Sequence, residues 1–183
     1  MRLILASASP RRRQLLADAG VTFEVMPAEI DESLLPSESP AAAVERLGCA
    51  KAAAVSAHCP GDRVLAADTA VVLDEMFLGK PADAAEAVSM LTRLSGREHE
   101  VMTGYALQGP GESVSGLCRT RVRFRELSAE EIRAYTATGE PMDKAGAYGI
   151  QAGAAHMVLA ITGSYTNVVG LPMAEIMMLL ARR

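Results

Sequence analysis

Along this chain the spacing of hydrophobic and polar positions switches repeatedly between the period of a strand and that of a helix. Short apolar or alternating runs at residues 3–6, 22–26, 64–67, 70–73, 98–107, 113–124 and 156–161 predict strands. Helices fall between them. Ser9 is an N-cap and Pro10 a first helical residue, because the N–H that proline lacks would have no partner there. Ser39 and Pro40 repeat this start, and their helix runs to about His58 before Pro60-Gly61 breaks it. A third helix covers residues 82–94, with Gly96 as its stop. Ser128-Ala129-Glu130-Glu131 is a capping box for a fourth helix ending near Gly139, and residues 172–180 read as the last. The chain is therefore α/β. Two long consecutive strands joined at Gly109-Pro110-Gly111 imply an antiparallel part, so a mixed sheet flanked by helices is expected.

Composition narrows the class. The chain has 183 residues, half of them hydrophobic, and no repeat or composition shift divides it, so one domain over residues 1–183 is expected. A net charge of −4 argues against a general nucleic-acid binder or a protein of anionic membranes. Cys49, Cys59 and Cys118 are odd in number and widely spaced, which suggests neither a disulfide framework nor a zinc knot and fits a reducing cytoplasm. His58, His99 and His156 lack metal-ligand spacing. The apolar start is too short for a signal peptide, and no segment approaches the ~20 apolar residues of a membrane span.

Candidate chemistry begins at the first helix. Its free N–H groups and positive dipole end favour an anion, and Arg11, Arg12 and Arg13 add full charges, so phosphate is the natural guest. At about 100° per residue Arg12 shares a face with Leu15, Leu16 and Ala19, and is expected to point inward. Asp68 interrupts an apolar run as a general base, a magnesium ligand or a strand-end cap. Lys51 lies on the apolar stripe of Val44, Leu47 and Val55, where it either snorkels to solvent or meets a polyphosphate. Asp31-Glu32 is an acidic loop able to supply a metal carboxylate. Gly79-Lys80-Pro81 puts a lysine in a tight turn, and Gln151 could read a base edge or sit as a surface amide. Arg119, Arg121, Arg123 and Arg125 alternate with apolar residues, and a solvated face paired with acids such as Glu126 is preferred to an oligonucleotide surface because interleaved aromatics are missing.

In this order, Ser7-Ala8-Ser9-Pro10-Arg11-Arg12, Asp31-Glu32, Lys51, Ala67-Asp68-Thr69, Gly79-Lys80-Pro81, Asp143-Lys144-Ala145-Gly146, Ala147-Tyr148-Gly149-Ile150-Gln151, Gly163-Ser164-Tyr165 and Val169-Gly170-Leu171-Pro172 resemble the Maf family of nucleoside triphosphate pyrophosphatases nearly end to end. The resemblance implies two lobes around a cleft, similar to inosine triphosphate pyrophosphatase. It implies hydrolysis of a nucleoside triphosphate to its monophosphate and pyrophosphate, with Asp68 as proton acceptor. Glu32 and Asp68 would hold a divalent cation, Mg²⁺ or Mn²⁺. Ser7, Ser9, Arg11, Arg12, Lys51 and Lys80 would bind phosphate. Arg12, Thr69 and Gln151 would set specificity and look like the dTTP/UTP branch, with modified pyrimidine nucleotides as further candidates. The alternatives are the 7-methyl-GTP branch and a nucleotide-sensing inhibitor of septum formation. The resemblance also implies cytoplasmic house-cleaning and a homodimer; the charge and the lack of a long apolar segment already leave no nucleic-acid or membrane partner expected. Ala8 and Ala152 depart from glycine; Ala152 would tighten the pocket if its backbone needs a positive φ.

Overall fold

The structure, a computed structural model, describes residues 1–181. Its strands are β1 (Leu3–Leu5), β2 (Glu24–Val25), β3 (Arg63–Leu73), β4 (Met76–Leu78), β5 (Glu98–Gly109), β6 (Glu112–Phe124) and β7 (Val158–Thr162). The α-helices are α1 (Pro10–Asp18), α2 (Pro40–Ser56), α3 (Ala84–Leu94), α4 (Ala129–Ala137), α5 (Tyr165–Val169) and α6 (Met173–Leu180). All seven strands form one sheet in the order β2-β1-β3-β5-β6-β7, with β4 paired to β3. β1 runs parallel to β2 and β3, whereas β4 on β3 and β7 on β6 are antiparallel, so the sheet is mixed as the pattern requires.

The predicted caps are made. Ser9 Oγ and Ser39 Oγ accept from the N–H groups of Arg12 and Ala42, and the Ser128–Glu131 box closes in both directions. Three expectations need correction. Residues 64–67 and 70–73 are parts of one 11-residue strand, β3, so Asp68 and Thr69 lie mid-strand with no turn to cap. A short helix, α5, forms where none was read, because Ser164 Oγ accepts the N–H of Asn167 and starts a turn. The last strand begins at Val158, preceded by a 3₁₀ turn at Ala155–Met157.

Two compact units share three strands. The first comprises Met1–Thr69, Thr103–Cys118 and the stretch from Gly170; the second comprises Ala70–Met102 and Arg119–Val169. In the first unit the strand alternation sorts the core onto two faces. Ile4, Val64, Ala66 and Ala106 pack with Ala52 and Val55 of α2. Leu5, Leu65, Ala67 and Leu107 pack with Leu16 of α1 and with Ile176 and Leu179 of α6. Glycine permits one close approach: a Cβ on Gly48 of α2 would lie 2.9 Å from the carbonyl oxygen of Gly104 on β5, and a Cβ on Gly104 would overlap the carbonyl of Val44. In the second unit α3 packs on α4, and His99, Phe124 and Tyr148 form an edge-to-face group with ring centroids 4.8–5.4 Å apart.

Candidate active site

The alternation of β3 decides where its two polar residues point. Asp68 follows the parity of Val64 and Ala66 and faces α2; Thr69 follows Leu65 and Ala67 and faces α1. On the α2 side the Lys51 ammonium donates to Asp68 Oδ1 at 2.6 Å and to Glu32 Oε2 at 2.8 Å. Lys51 is buried, 8% exposed, and does not snorkel to solvent. The stem lies on the stripe of Val44, Leu47 and Val55, and the charge is met by carboxylates. A second helix residue, Arg46, steadies the loop that carries Glu32. Its Nη2 donates to the Ser33 carbonyl at 3.1 Å, and Arg46 also holds Glu38. Asp31 is exposed and is used within that loop, where the Ser33 hydroxyl first and then the Ser33 N–H, at 2.9 Å, pull its pKa below the usual carboxylate range.

On the α1 side Arg12 is buried, 9% exposed, as the wheel predicts, with Arg13 exposed and Arg11 between the two extremes. Its guanidinium donates to the Gly170 carbonyl (2.7 Å), Ser7 Oγ (3.2 Å) and Thr69 Oγ1 (2.9 Å). All three acceptors are neutral. Burial lowers the Arg12 pKa, opposed by the nearby Asp68 charge. Two of the five guanidinium N–H groups are left over from these three bonds, a donor pair suited to phosphate oxygens. Thr103 on β5 completes the network, its hydroxyl 2.9 Å from that of Thr69. The sequence reading missed Thr103, although its parity with Leu107 along β5 places it on the α1 face.

Ser7, Ser9, Arg12 and Thr69 are thus gathered in one network and Glu32, Lys51 and Asp68 in another, joined through the Asp68–Thr69 peptide, all in the first unit. Lys80 and Gln151 belong to the second unit and are both exposed. There the Gly79 carbonyl accepts the Gly146 N–H at 3.0 Å, which ties the Lys80 turn to the segment leading into Gln151. Strain falls at Ala147 (φ 59°), beside Gly146 (φ 68°), and costs about 1–3 kcal/mol; Ala152 needs no positive φ. Beneath this segment Tyr148 is buried with its hydroxyl 2.8 Å from His99 Nε2. Two arginines of the basic stripe of β6 are paired: Arg119 and Arg121 lie 3.9 and 3.5 Å from Glu100 and Glu98. Arg125 falls past the strand end and pairs with Glu131, so the acids are not Glu126 but these three.

A family model described as Maf-like protein matches residues 2–183. The chain belongs to the Maf family. Among its relatives, the dTTP/UTP pyrophosphatase of Symbiobacterium thermophilum is 54% identical over 180 residues, covering 98% of this chain and 93% of that protein. The dTTP/UTP pyrophosphatase of Geobacter metallireducens is 54% identical over 178 residues, covering 96% of this chain and 92% of the relative. In fold, the chain is similar to a HAM1 protein from Coxiella burnetii, with a TM-score of 0.51, 14% identity and full coverage of both chains.

The two carboxylates fit a divalent cation. Glu32 and Asp68 already converge on one positive charge, the Lys51 ammonium, which stands where a cation between them would sit. Mg²⁺ is commonly held by one or two carboxylates, with water and substrate phosphates filling the remaining positions. Among the described residues no group of three or more His, Cys, Asp or Glu could hold a metal ion unaided.

Proposed function

We propose that this Maf-family chain hydrolyses dTTP and UTP to the monophosphate and pyrophosphate, with modified pyrimidine nucleotides as further substrates. The observation that carries the reading is the pair of linked networks on β3, a carboxylate pair bridged by buried Lys51 on one face and buried Arg12 with spare donors on the other. The two relatives named for this activity, matched over nearly their whole length, support it.

Water attacks the α-phosphorus, the bond from that phosphorus to the bridging oxygen breaks, and pyrophosphate leaves. Lys51 occupies Asp68 Oδ1, so Asp68 Oδ2 takes the proton of the attacking water. Arg12 and the N-terminus of α1, with Ser7, Ser9 and Arg11, hold the phosphates; Lys51 and Lys80 add positive charge as the leaving group develops its own. A divalent cation held by Glu32 and Asp68 would supply charge neutralisation and polarise phosphoryl oxygens in exchange for the Lys51 contacts, and Asp68 would then serve as ligand in place of proton acceptor. Gln151 matches the adjacent N–H and carbonyl of a uracil or thymine edge with its amide oxygen and NH₂. Arg12 and Thr69 complete the specificity set. The reading extends to a homodimer acting in the cytoplasm. No helix among the described residues is long and apolar enough to cross a membrane.

The test is pyrophosphate release from dTTP, UTP, CTP, GTP, ATP and 7-methyl-GTP with Mg²⁺ or Mn²⁺, for wild type and Asp68→Asn. Selective turnover of dTTP and UTP that vanishes in the folded Asn variant is expected. Activity confined to 7-methyl-GTP overturns the branch, and binding without turnover overturns the enzyme.

A further inference from the structure

Gln151 sits in a turn whose two ends are gripped by one pair of side chains, Tyr135 and Glu140. Tyr135, buried near the end of α4, accepts the Gly149 N–H on its hydroxyl at 3.2 Å and donates to Glu140 Oε1 at 3.0 Å. The other oxygen, Glu140 Oε2, accepts the Gly153 N–H at 3.1 Å. Gly149 and Gly153 flank Gln151 at equal distance along the chain, two residues to either side. A side chain at either position would press on the clamp or its brace. A Cβ on Gly149 would come 2.6 Å from Lys144 Cε, and one on Gly153 would come 2.7 Å from Glu140 Oε2 and 3.0 Å from the Tyr135 ring. Lys144 braces the acid from behind by donating to the Glu140 backbone carbonyl at 2.7 Å. Between the two grips Ile150 is buried and Gln151 is exposed.

From this geometry we infer that Tyr135 and Glu140 are positioning residues for base selection, a phenol–carboxylate clamp that fixes the backbone on both sides of Gln151. The inference rests on Gln151 as the reader of the base. An amide distinguishes uracil from cytosine only if its oxygen and NH₂ are presented in one orientation, since the two bases exchange donor and acceptor at position 4. A reader on a free loop turns to suit either base. Clamped at residues 149 and 153, the backbone holds the root of the Gln151 side chain in one place, so the approach of its amide to a uracil edge is pre-organised in the free protein.

The experiment compares kcat and KM for UTP and CTP in wild type, Gln151→Ala, Tyr135→Phe, Glu140→Ala and Glu140→Gln. Tyr135→Phe and Glu140→Ala are expected to lower the UTP/CTP ratio of kcat/KM about tenfold, chiefly through KM for UTP, with kcat retained. Glu140→Gln, which keeps an acceptor for Gly153 and a polar group for Tyr135, is expected to preserve most of the ratio. In the Tyr135→Phe/Gln151→Ala double variant the ratio should equal that of Gln151→Ala alone, an outcome that general loosening of the fold would not give. If Gln151→Ala loses the ratio and neither clamp variant does, the clamp is overturned while the base reader stands. An unchanged ratio in Gln151→Ala overturns both. Should Tyr135→Phe fail to fold, the two Glu140 variants and their combination with Gln151→Ala give the same decision.

Discussion

A strand presents successive side chains to opposite faces, and at Asp68 and Thr69 that rule divides one site into two tasks. Asp68 meets the Lys51 ammonium and Thr69 meets the Arg12 guanidinium. Removing Lys51 leaves Glu32 and Asp68 repelling each other without the charge between them. Lys51→Met, which keeps the apolar stem and helix propensity, is expected to lower kcat for dTTP about 10²-fold or more while the fold is retained, measured by pyrophosphate release and circular dichroism. His99 carries a different prediction. Burial pushes its pKa from the ordinary 6.5 down to about 4, so the folded protein keeps the ring neutral while the unfolded chain binds a proton. Its contribution to stability is therefore unaffected above pH 6.5 and falls between pH 6.5 and about 4, by about 3 kcal/mol in all. Urea unfolding at pH 7 and pH 4 should show wild type losing that much more than His99→Gln; equal losses would contradict the assignment. At this scale much of the site was legible. Arg12 and Lys51 were charges on apolar stripes, and Asp68 was an acid in an apolar run. Thr103 and Arg46 were not, because their value lies in what they touch across the sheet and the acidic loop.

Elements carry these side chains, and the contact between α2 and β5 sets where Lys51 stands. The Gly48–Gly104 approach lets the helix lie against the strand backbone, and Lys51 is one turn beyond Gly48. Gly48→Ala forces the helix away by a few tenths of an ångström or more. It is expected to destabilise the protein by about 1–3 kcal/mol despite alanine's better helix propensity, and to reduce kcat because the Lys51–Asp68 bond lengthens. Thermal unfolding and steady-state kinetics on the same sample check both halves. Helix starts were readable because serine, proline and a capping box act locally. The single long β3 was read as two strands because Asp68-Thr69 looks like a break in hydrophobicity, and only the two polar networks make that pair tolerable mid-strand. The grip of Tyr135 and Glu140 on the Gln151 turn had no local signal, since it joins α4 and the 3₁₀ turn Glu140–Asp143 to residues 14 and 13 positions further on.

For the whole molecule, helix–strand alternation and one long hairpin led to the mixed sheet, whereas the division into two compact units left no mark in composition. β3, β5 and β6 pass through both, so there is no linker to find. Arg119 and Arg121 of the basic stripe of β6 form pairs with β5 acids, in keeping with the net charge of −4. The remaining consequence concerns Arg12. Its three hydrogen bonds end on a carbonyl and two hydroxyls, so the fold keeps a full charge out of water without bonding it to an anion. Stability and catalysis then pull in opposite directions at this one position. Arg12→Met is expected to raise the melting temperature by a few degrees and to abolish turnover, and saturating pyrophosphate should raise the melting temperature of wild type but not of the variant. A population of this gene screened only for survival of heating would drift toward losing that arginine. The triphosphate itself is what makes the native sequence worth keeping.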